Sequence, residues 1–123
     1  MRFSMQRQII FQALQARDDY PNAQELYKDV IKQIPKISMG TIYRDLDTLV
    51  QNGQARKIPI PGFAARYTTD ILRKEHVVCP VCGRVSAMPE MAATMKAVLS
   101  EKLDGNVDYD LMIYTKCQDC SQN

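Results

Sequence analysis

The chain has 123 residues, of which 46% are hydrophobic and 24% are charged, a composition typical of a soluble folded protein with one domain or two small ones. It has no run of about 20 apolar residues and no signal peptide-like start, so we expect no membrane span and a cytoplasmic location. The net charge of +2 is unevenly divided: residues 1–68 carry ten Lys or Arg against six Asp or Glu, and residues 69–123 carry six against eight. Only the first part has a charge suited to phosphate groups.

Two helices are predicted near the start of the chain. Ser4 can cap a first helix over residues 6–16, in which apolar residues recur at helical spacing. Asn22 can cap a second helix, because Glu25 three residues later completes a capping box. Pro35 is expected to end this second helix.

A third helix and a hairpin follow. Ser38 can cap the third helix, and Gly53 supplies its stop. Residues 55–60 and 63–69 have strand-like composition and are separated by Pro61-Gly62, a turn dipeptide. Three helices followed by a hairpin is the winged-helix order; a plain three-helix module would leave the hairpin without a role.

The predicted fold class is α+β, with two domains. Residues 1–68 form an N-terminal winged helix-turn-helix domain, and residues 69–123 form a small α/β dimerisation domain. In the second domain we expect a helix over residues 89–103, a strand near 84–87 and a strand over 107–114, where apolar residues alternate. A unit of this size buries too little surface to be stable alone, so it should need a metal, a partner chain or both.

All four cysteines fall into two Cys-x-x-Cys pairs, Cys79 with Cys82 and Cys117 with Cys120, separated by 34 residues. Gly83 can adopt the backbone conformation that a tight turn after the first pair requires, and two such turns can complete a tetrahedral zinc site. Two disulfides, or one redox-active pair, are the alternatives. We predict one structural Zn²⁺ per chain, because four thiolates leave no open position for a catalytic water or substrate.

The third helix carries small polar, aromatic and basic residues in its first two turns, which are the positions that read bases when a helix enters the major groove. Basic residues at the start of the hairpin are placed to meet the DNA backbone. The alternative is an ordinary solvated helix face. The residues predicted to contact DNA are Lys36, Ser38, Thr41, Tyr43, Arg44, Arg56 and Lys57.

Several segments together carry a family resemblance. They are QRQII at 6–10, PNAQELY at 21–27, ISMGTIYRDL at 37–46, RY at 66–67 and CPVCG at 79–83. With them the chain resembles the ferric uptake regulator family of bacterial metal- and peroxide-responsive repressors over nearly its whole length. The resemblance implies a non-enzymatic, homodimeric repressor that binds A·T-rich inverted repeats, with Tyr43 near bases, Arg44 near the backbone and a structural zinc on the four cysteines.

The chain departs from the family at the second, regulatory metal site, which relatives build from histidines and carboxylates. Tyr20 and Lys74 stand where histidines are usual, and Thr68 and Ala87 stand where carboxylates are common. Only His76 remains, and a single imidazole is more often a packing or hydrogen-bonding residue than a ligand. We therefore expect no regulatory metal site.

Three other functions are weighed against a regulator without a metal switch. A redox-responsive regulator would lose Zn²⁺ as its cysteines oxidise, which would release the brace on the second domain. A zinc-braced interaction module would use the basic half for an acidic protein partner. A thiol-disulfide enzyme is the weakest alternative, because neither cysteine pair follows a tryptophan or lies in a βαβ context.

Overall fold

A computed structural model describes residues 2–88 and 91–122, with side chains from Met5 onward. The chain divides into two units, Met1–Ile71 and Leu72–Asn123. The elements in chain order are α1 (Arg2–Gln15), α2 (Ala23–Val30), α3 (Met39–Gln51), β1 (Arg56–Ile60), β2 (Phe63–Thr68), β3 (Glu75–Val78), β4 (Val85–Ala87), α4 (Ala92–Lys102), β5 (Leu111–Tyr114) and α5 (Gln118–Ser121).

The three helices of the first unit share one hydrophobic core. Ile10 and Leu14 from α1, Leu26 from α2, and Ile42 and Leu46 from α3 are all 0% exposed. Val30, four positions after Leu26, is also 0% exposed, so in each helix the buried residues recur at the spacing that aligns side chains on one face. The predicted helical stripes are therefore the core.

The ends of α1 and α2 differ in part from the sequence prediction. The first helix already begins at Arg2, so Ser4 lies within its first turn and the predicted cap is wrong. Neither Gly nor Pro occurs before Ser4, so no residue there prevents the helix from beginning earlier. The α2 capping box is confirmed: the Asn22 side chain accepts from the Glu25 N–H at 2.8 Å, and the Glu25 carboxylate accepts from the Asn22 N–H at 3.0 Å. The second helix ends at Val30 and does not reach Pro35, the predicted stop. The residues between them form hydrogen-bonded turns instead of a further helical turn.

The hairpin is antiparallel, with Arg56 paired to Thr68 at its open end. Its turn contains Gly62 at a φ of +82°, a conformation that favours glycine because it has no Cβ. Ile58 and Tyr67 point into the first unit and are 2% and 1% exposed. The order of three helices and a hairpin confirms the winged-helix prediction.

The second unit contains a three-stranded sheet in the order β4-β3-β5. Val78 in the central strand pairs with Val85 across an antiparallel ladder and with Tyr114 across a parallel one. The sequence prediction missed β3, because the strand has only four residues and begins with Glu75 and His76. Both side chains are buried, at 3% and 1% exposed.

Two other elements of the second unit are shorter than predicted. The helix over 89–103 is observed as Ala92–Lys102, and its predicted first residue, Pro89, lies outside the described residues. The strand over 107–114 is observed only as Leu111–Tyr114.

The second unit buries few apolar side chains. Among its described residues, the buried apolar ones are Val78, Cys79 and Val85, and α4 contributes none. Met95 and Leu99 of α4 are half-buried and Val98 is 49% exposed, so this helix leaves apolar side chains partly open to solvent. Within residues 2–88 and 91–122, no helix combines the length and the apolar character that crossing a membrane requires.

Candidate zinc centre and nucleic-acid interface

The first cysteine pair lies in a tight turn after β3. The backbone N–H of Cys79 donates to the carbonyl of Arg84 at 2.9 Å, and that of Gly83 donates to the carbonyl of Cys79 at 2.8 Å. Gly83 has a φ of +78°, which closes the turn without strain. Cys79 is buried and Cys82 is exposed, so this turn presents one sulfur from the core and one from the surface.

The second pair follows β5. Because β3 and β5 lie side by side and run parallel, the residues after each strand emerge at the same end of the sheet. The N–H of Thr115 bonds to the carbonyl of Val78 at 3.0 Å, which continues this pairing toward the cysteines. Cys117 then caps the short helix α5, and the N–H of Ser121 bonds to its carbonyl at 2.9 Å.

The four sulfurs lie close enough to share one ion. All are within 4.8 Å of one another, and the Sγ atoms of Cys82 and Cys117 are 3.8 Å apart. A tetrahedron with Zn–S bonds of about 2.3 Å has edges of about 3.8 Å. The cysteines are free thiols rather than disulfides. The cluster therefore fits the predicted zinc site, with Cys79 and Cys120 as its other two ligands.

The thiols influence one another electrostatically. The pKa of Cys79 is lowered to about 6, chiefly by a backbone hydrogen bond from Cys117. The pKa of Cys120 is raised to about 12, chiefly by its hydrogen bond to the Cys117 sulfur and by burial. Neighbouring thiolates repel one another, and a bound divalent cation would offset two of the four negative charges.

A charged pair joins the two turns. The guanidinium of Arg84, in the first turn, donates to the carboxylate of Asp119, in the second, at 2.9 Å. This hydrogen bond is the main reason that the pKa of Arg84 is raised. The sequence prediction missed the pair because its members are 35 positions apart in the chain.

The predicted DNA-contacting residues of α3 divide into two kinds. The Ser38 hydroxyl accepts from the Thr41 N–H at 3.1 Å and pairs with the Thr41 hydroxyl at 3.0 Å, so it caps the helix as predicted. Tyr43, at 45% exposure, and Arg44 project from the following turn into solvent, and Lys36 is exposed just before the helix.

The hairpin and α3 lie in the same unit. Arg56 and Lys57 occupy the first two positions of β1, where Arg56 is half-buried and Lys57 is exposed. Lys57 pairs in register with Tyr67 of β2. The pKa of Tyr67 is raised chiefly by burial and further by Asp47 and Tyr43, two side chains of α3. Tyr67 also belongs to the same core cluster as Leu46 and Leu49, so the hairpin packs near the helix that carries the exposed tyrosine and arginine.

The model of the ferric uptake regulator family matches residues 1–113 of this chain. The chain belongs to the ferric uptake regulator family. It is therefore a transcription regulator of the DNA-binding repressor class and not an enzyme, which confirms the resemblance seen in the sequence.

The chain is also similar to individual members of the family. The chain is 29% identical over 123 residues to the peroxide-responsive repressor PerR of Staphylococcus saprophyticus, covering 98% of this chain and 82% of that protein. It superimposes on the Campylobacter jejuni peroxide stress regulator with a TM-score of 0.81 and 27% identity, covering 97% of this chain and 91% of the other. The Helicobacter pylori ferric uptake regulator, described as having three functional metal-binding sites, has a TM-score of 0.83 at 17% identity, covering 97% and 81%.

The residues around position 74, where this chain lacks a histidine of the family's regulatory metal site, make other contacts. Lys74 forms an ion pair with Asp108 at 3.0 Å, and the buried Glu75 carboxylate accepts a hydrogen bond from the Tyr109 hydroxyl. His76 lies in the central strand with 1% exposure. Within the described residues, the four cysteines form the single group of three or more candidate ligands close enough to share one ion.

The structure also shows a buried acid that the sequence prediction missed. Asp45 is 6% exposed on α3, and its Oδ2 atom has no hydrogen-bond partner. Desolvation raises its pKa, although the charges of Arg7 and Arg44 offset part of the rise. The signal was present, because Asp45 falls on the helical stripe of Ile42 and Leu49.

Proposed function

We propose that this chain is a cytoplasmic, homodimeric repressor that binds A·T-rich inverted repeats, with residues 1–68 on DNA and residues 69–123 at the dimer interface. The observation that carries the proposal is the exposed pair Tyr43 and Arg44 on a helix whose opposite face is fixed in the core. Such a helix offers one side chain suited to bases and one suited to phosphate. Lys36, Ser38, Thr41, Arg56 and Lys57 complete the proposed contact surface.

The homodimer is supported by the second unit. Its apolar core is small, both β4 and β5 are edge strands, and Val98, Leu103 and Tyr114 are 49%, 52% and 50% exposed. Edge strands and exposed apolar side chains are stabilised when a second chain covers them. One zinc per chain on the four cysteines is proposed as the other support of this unit.

We further propose that the family's regulatory metal site is missing. Lys74 carries a positive charge that opposes a divalent cation, and it is already paired with Asp108. Tyr20 and Ala87 offer no imidazole or carboxylate, and the Tyr20 carbonyl accepts a hydrogen bond from Arg66 at 3.0 Å. DNA affinity should therefore be independent of added Mn²⁺ or Fe²⁺.

A redox-responsive regulator is the second candidate. The relatives named above include peroxide-responsive proteins, and the Cys82 thiol is exposed to solvent oxidants. Oxidation of that thiol would remove one of the four zinc ligands. Zinc release and loss of DNA binding at the same peroxide dose would favour this candidate.

The test is fluorescence anisotropy with an A·T-rich inverted-repeat duplex and a scrambled duplex, across a salt series. We expect two chains per duplex, preference for the repeat over competitor DNA, and affinity that falls steeply as salt rises. Equal affinity for both duplexes would contradict the proposed specificity and would favour the interaction module. An increase in affinity on adding Mn²⁺ would show that a regulatory metal site exists.

A further inference from the structure

The two cysteine turns are held together by more than their sulfurs. We call residues 79–84 the first knuckle and residues 117–121 the second knuckle. Arg84 of the first and Asp119 of the second form an ion pair at 2.9 Å, and both side chains are largely exposed, at 57% and 71%. The pair therefore bridges the knuckles on their solvent side.

The two knuckles differ in how firmly they are anchored. The first follows the central strand, contains the buried Cys79, and is closed by the two backbone hydrogen bonds described above. The second follows an edge strand whose residues are at best half-buried, and its cysteines are only partly covered. Although Cys82 of the first knuckle is also exposed, the second knuckle has no buried cysteine to anchor it, so we expect it to be the half that moves away when a sulfur detaches from zinc.

We propose that Arg84 and Asp119 act as a latch that keeps the second knuckle against the first and slows the loss of zinc. The inference rests on the proposed structural zinc. While the latch is closed, it holds Cys117 and Cys120 at a high effective concentration beside the first knuckle, so a detached sulfur rebinds before a chelator enters. The guanidinium also offsets the net negative charge of four thiolates around one divalent ion. Arg84 and Asp119 are positioning residues, because neither supplies a ligand atom.

The experiment measures zinc transfer from the full chain to excess chromogenic chelator, after the zinc content has been determined. At about 50 mM salt, where charges are weakly screened, Arg84→Ala and Asp119→Ala should each release zinc about two- to fivefold faster than the wild type. The double variant should be no faster than either single one, because both changes open the same contact. Asp119→Asn, which keeps the side-chain shape, should behave like Asp119→Ala.

Lys116→Ala is the matched control, since Lys116 is an exposed cation next to Cys117 but is not a member of the latch. Its release rate should stay close to that of the wild type. Rising salt should bring the wild-type rate toward the Arg84→Ala rate while leaving the variant almost unchanged, a response that a purely steric role would not give.

Each possible result decides one point. Wild-type release rates in Arg84→Ala, additive effects in the double variant, or equal acceleration by Lys116→Ala would each overturn the latch. A wild-type chain that contains no zinc would instead refute the zinc assignment, so the two failures are distinguishable.

Discussion

Asp45 and Asp47 are neighbouring acids on α3 with different surroundings. Asp45 is buried and its pKa is raised by desolvation, whereas Asp47 is exposed. A carboxyl with a raised pKa binds its proton more tightly in the folded chain than in the unfolded one, where the value is about 3.9. Ionisation of Asp45 therefore reduces stability as pH rises through the folded-state pKa, and the loss disappears below the unfolded-state value.

Asp45→Asn should accordingly raise the free energy of unfolding at about pH 7.5, and the gain should shrink toward about pH 4. Urea denaturation followed by circular dichroism, compared with the wild type at each pH, measures this. Asp47→Asn is the control and should change stability little at either pH. A gain that is the same at both pH values would show that removal of the charge is not the cause.

Arg44→Ala should weaken binding to the inverted repeat about tenfold and lower the slope of log affinity against log salt by about 1, as expected for one lost phosphate contact. The exposed side chain is not part of the apolar core, and its charge acts on Asp45 only as a minor offset to desolvation, so the melting temperature should change little. Anisotropy across a salt series measures both quantities. Lys28→Ala, an exposed cation on α2 outside the proposed contact set, should leave affinity and slope unaltered; similar losses in both variants would contradict the assignment to α3.

Among the secondary-structure elements, α2 has the start that is defined by the largest set of specific hydrogen bonds. Asn22 and Glu25 satisfy each other's backbone N–H groups, and Glu25 also accepts from Arg66 of β2 at 3.1 Å. The carbonyl of Pro21 accepts from the Tyr67 N–H at 2.9 Å, which places the hairpin against the helix start. The cap therefore positions the hairpin as well as the helix.

Asn22→Ala should lower the free energy of unfolding by about 1 kcal/mol, because an N–H of the first turn loses its acceptor. Asn22→Ser, which retains a capping oxygen, should recover most of this loss. Urea titration of the three proteins makes the comparison. Equal stability of the alanine and serine variants would mean that the cap contributes nothing.

Local sequence was a good guide to such elements because their signals are contained in a few residues. The cap of α2, the cap of α3 and the turn at Pro61-Gly62 each depend on neighbours within three or four positions. β3 was missed for the opposite reason: its Glu75 and His76 are buried by strands that pair with them from residues 85–87 and 111–114. The residues of β3 and their neighbours in the sequence contain no pattern that predicts this pairing.

At the scale of the whole molecule, the two units differ in what supports them. The first unit has a continuous apolar core drawn from three helices and the hairpin. The second unit has three buried apolar side chains among its described residues, so we expect it to depend on the proposed zinc ion and on the proposed partner chain. Loss of the metal should therefore affect the two units unequally.

Cys79→Ser should abolish zinc retention and unfold or monomerise the second unit, while the helices of the first unit persist. Elemental analysis, limited proteolysis and sedimentation measure zinc content, folding and association. Ser121→Ala, which changes a hydroxyl next to Cys120 without removing a ligand, should retain zinc and the wild-type association state. A Cys79→Ser chain that loses zinc but keeps its fold and association state would show that zinc does not brace this unit, and one that keeps zinc would contradict Cys79 as a required ligand.

The helices, the hairpin, the paired cysteines and the family could be predicted from the sequence, because helical stripes, caps, turn dipeptides and Cys-x-x-Cys spacing are all short-range patterns. Three features became visible in the folded chain alone: β5 runs parallel to β3 and thereby brings the two cysteine pairs together, Arg84 contacts Asp119, and Asp45 is buried. These features arise between residues far apart in the chain, where strand pairing and packing rather than local preference set the contacts.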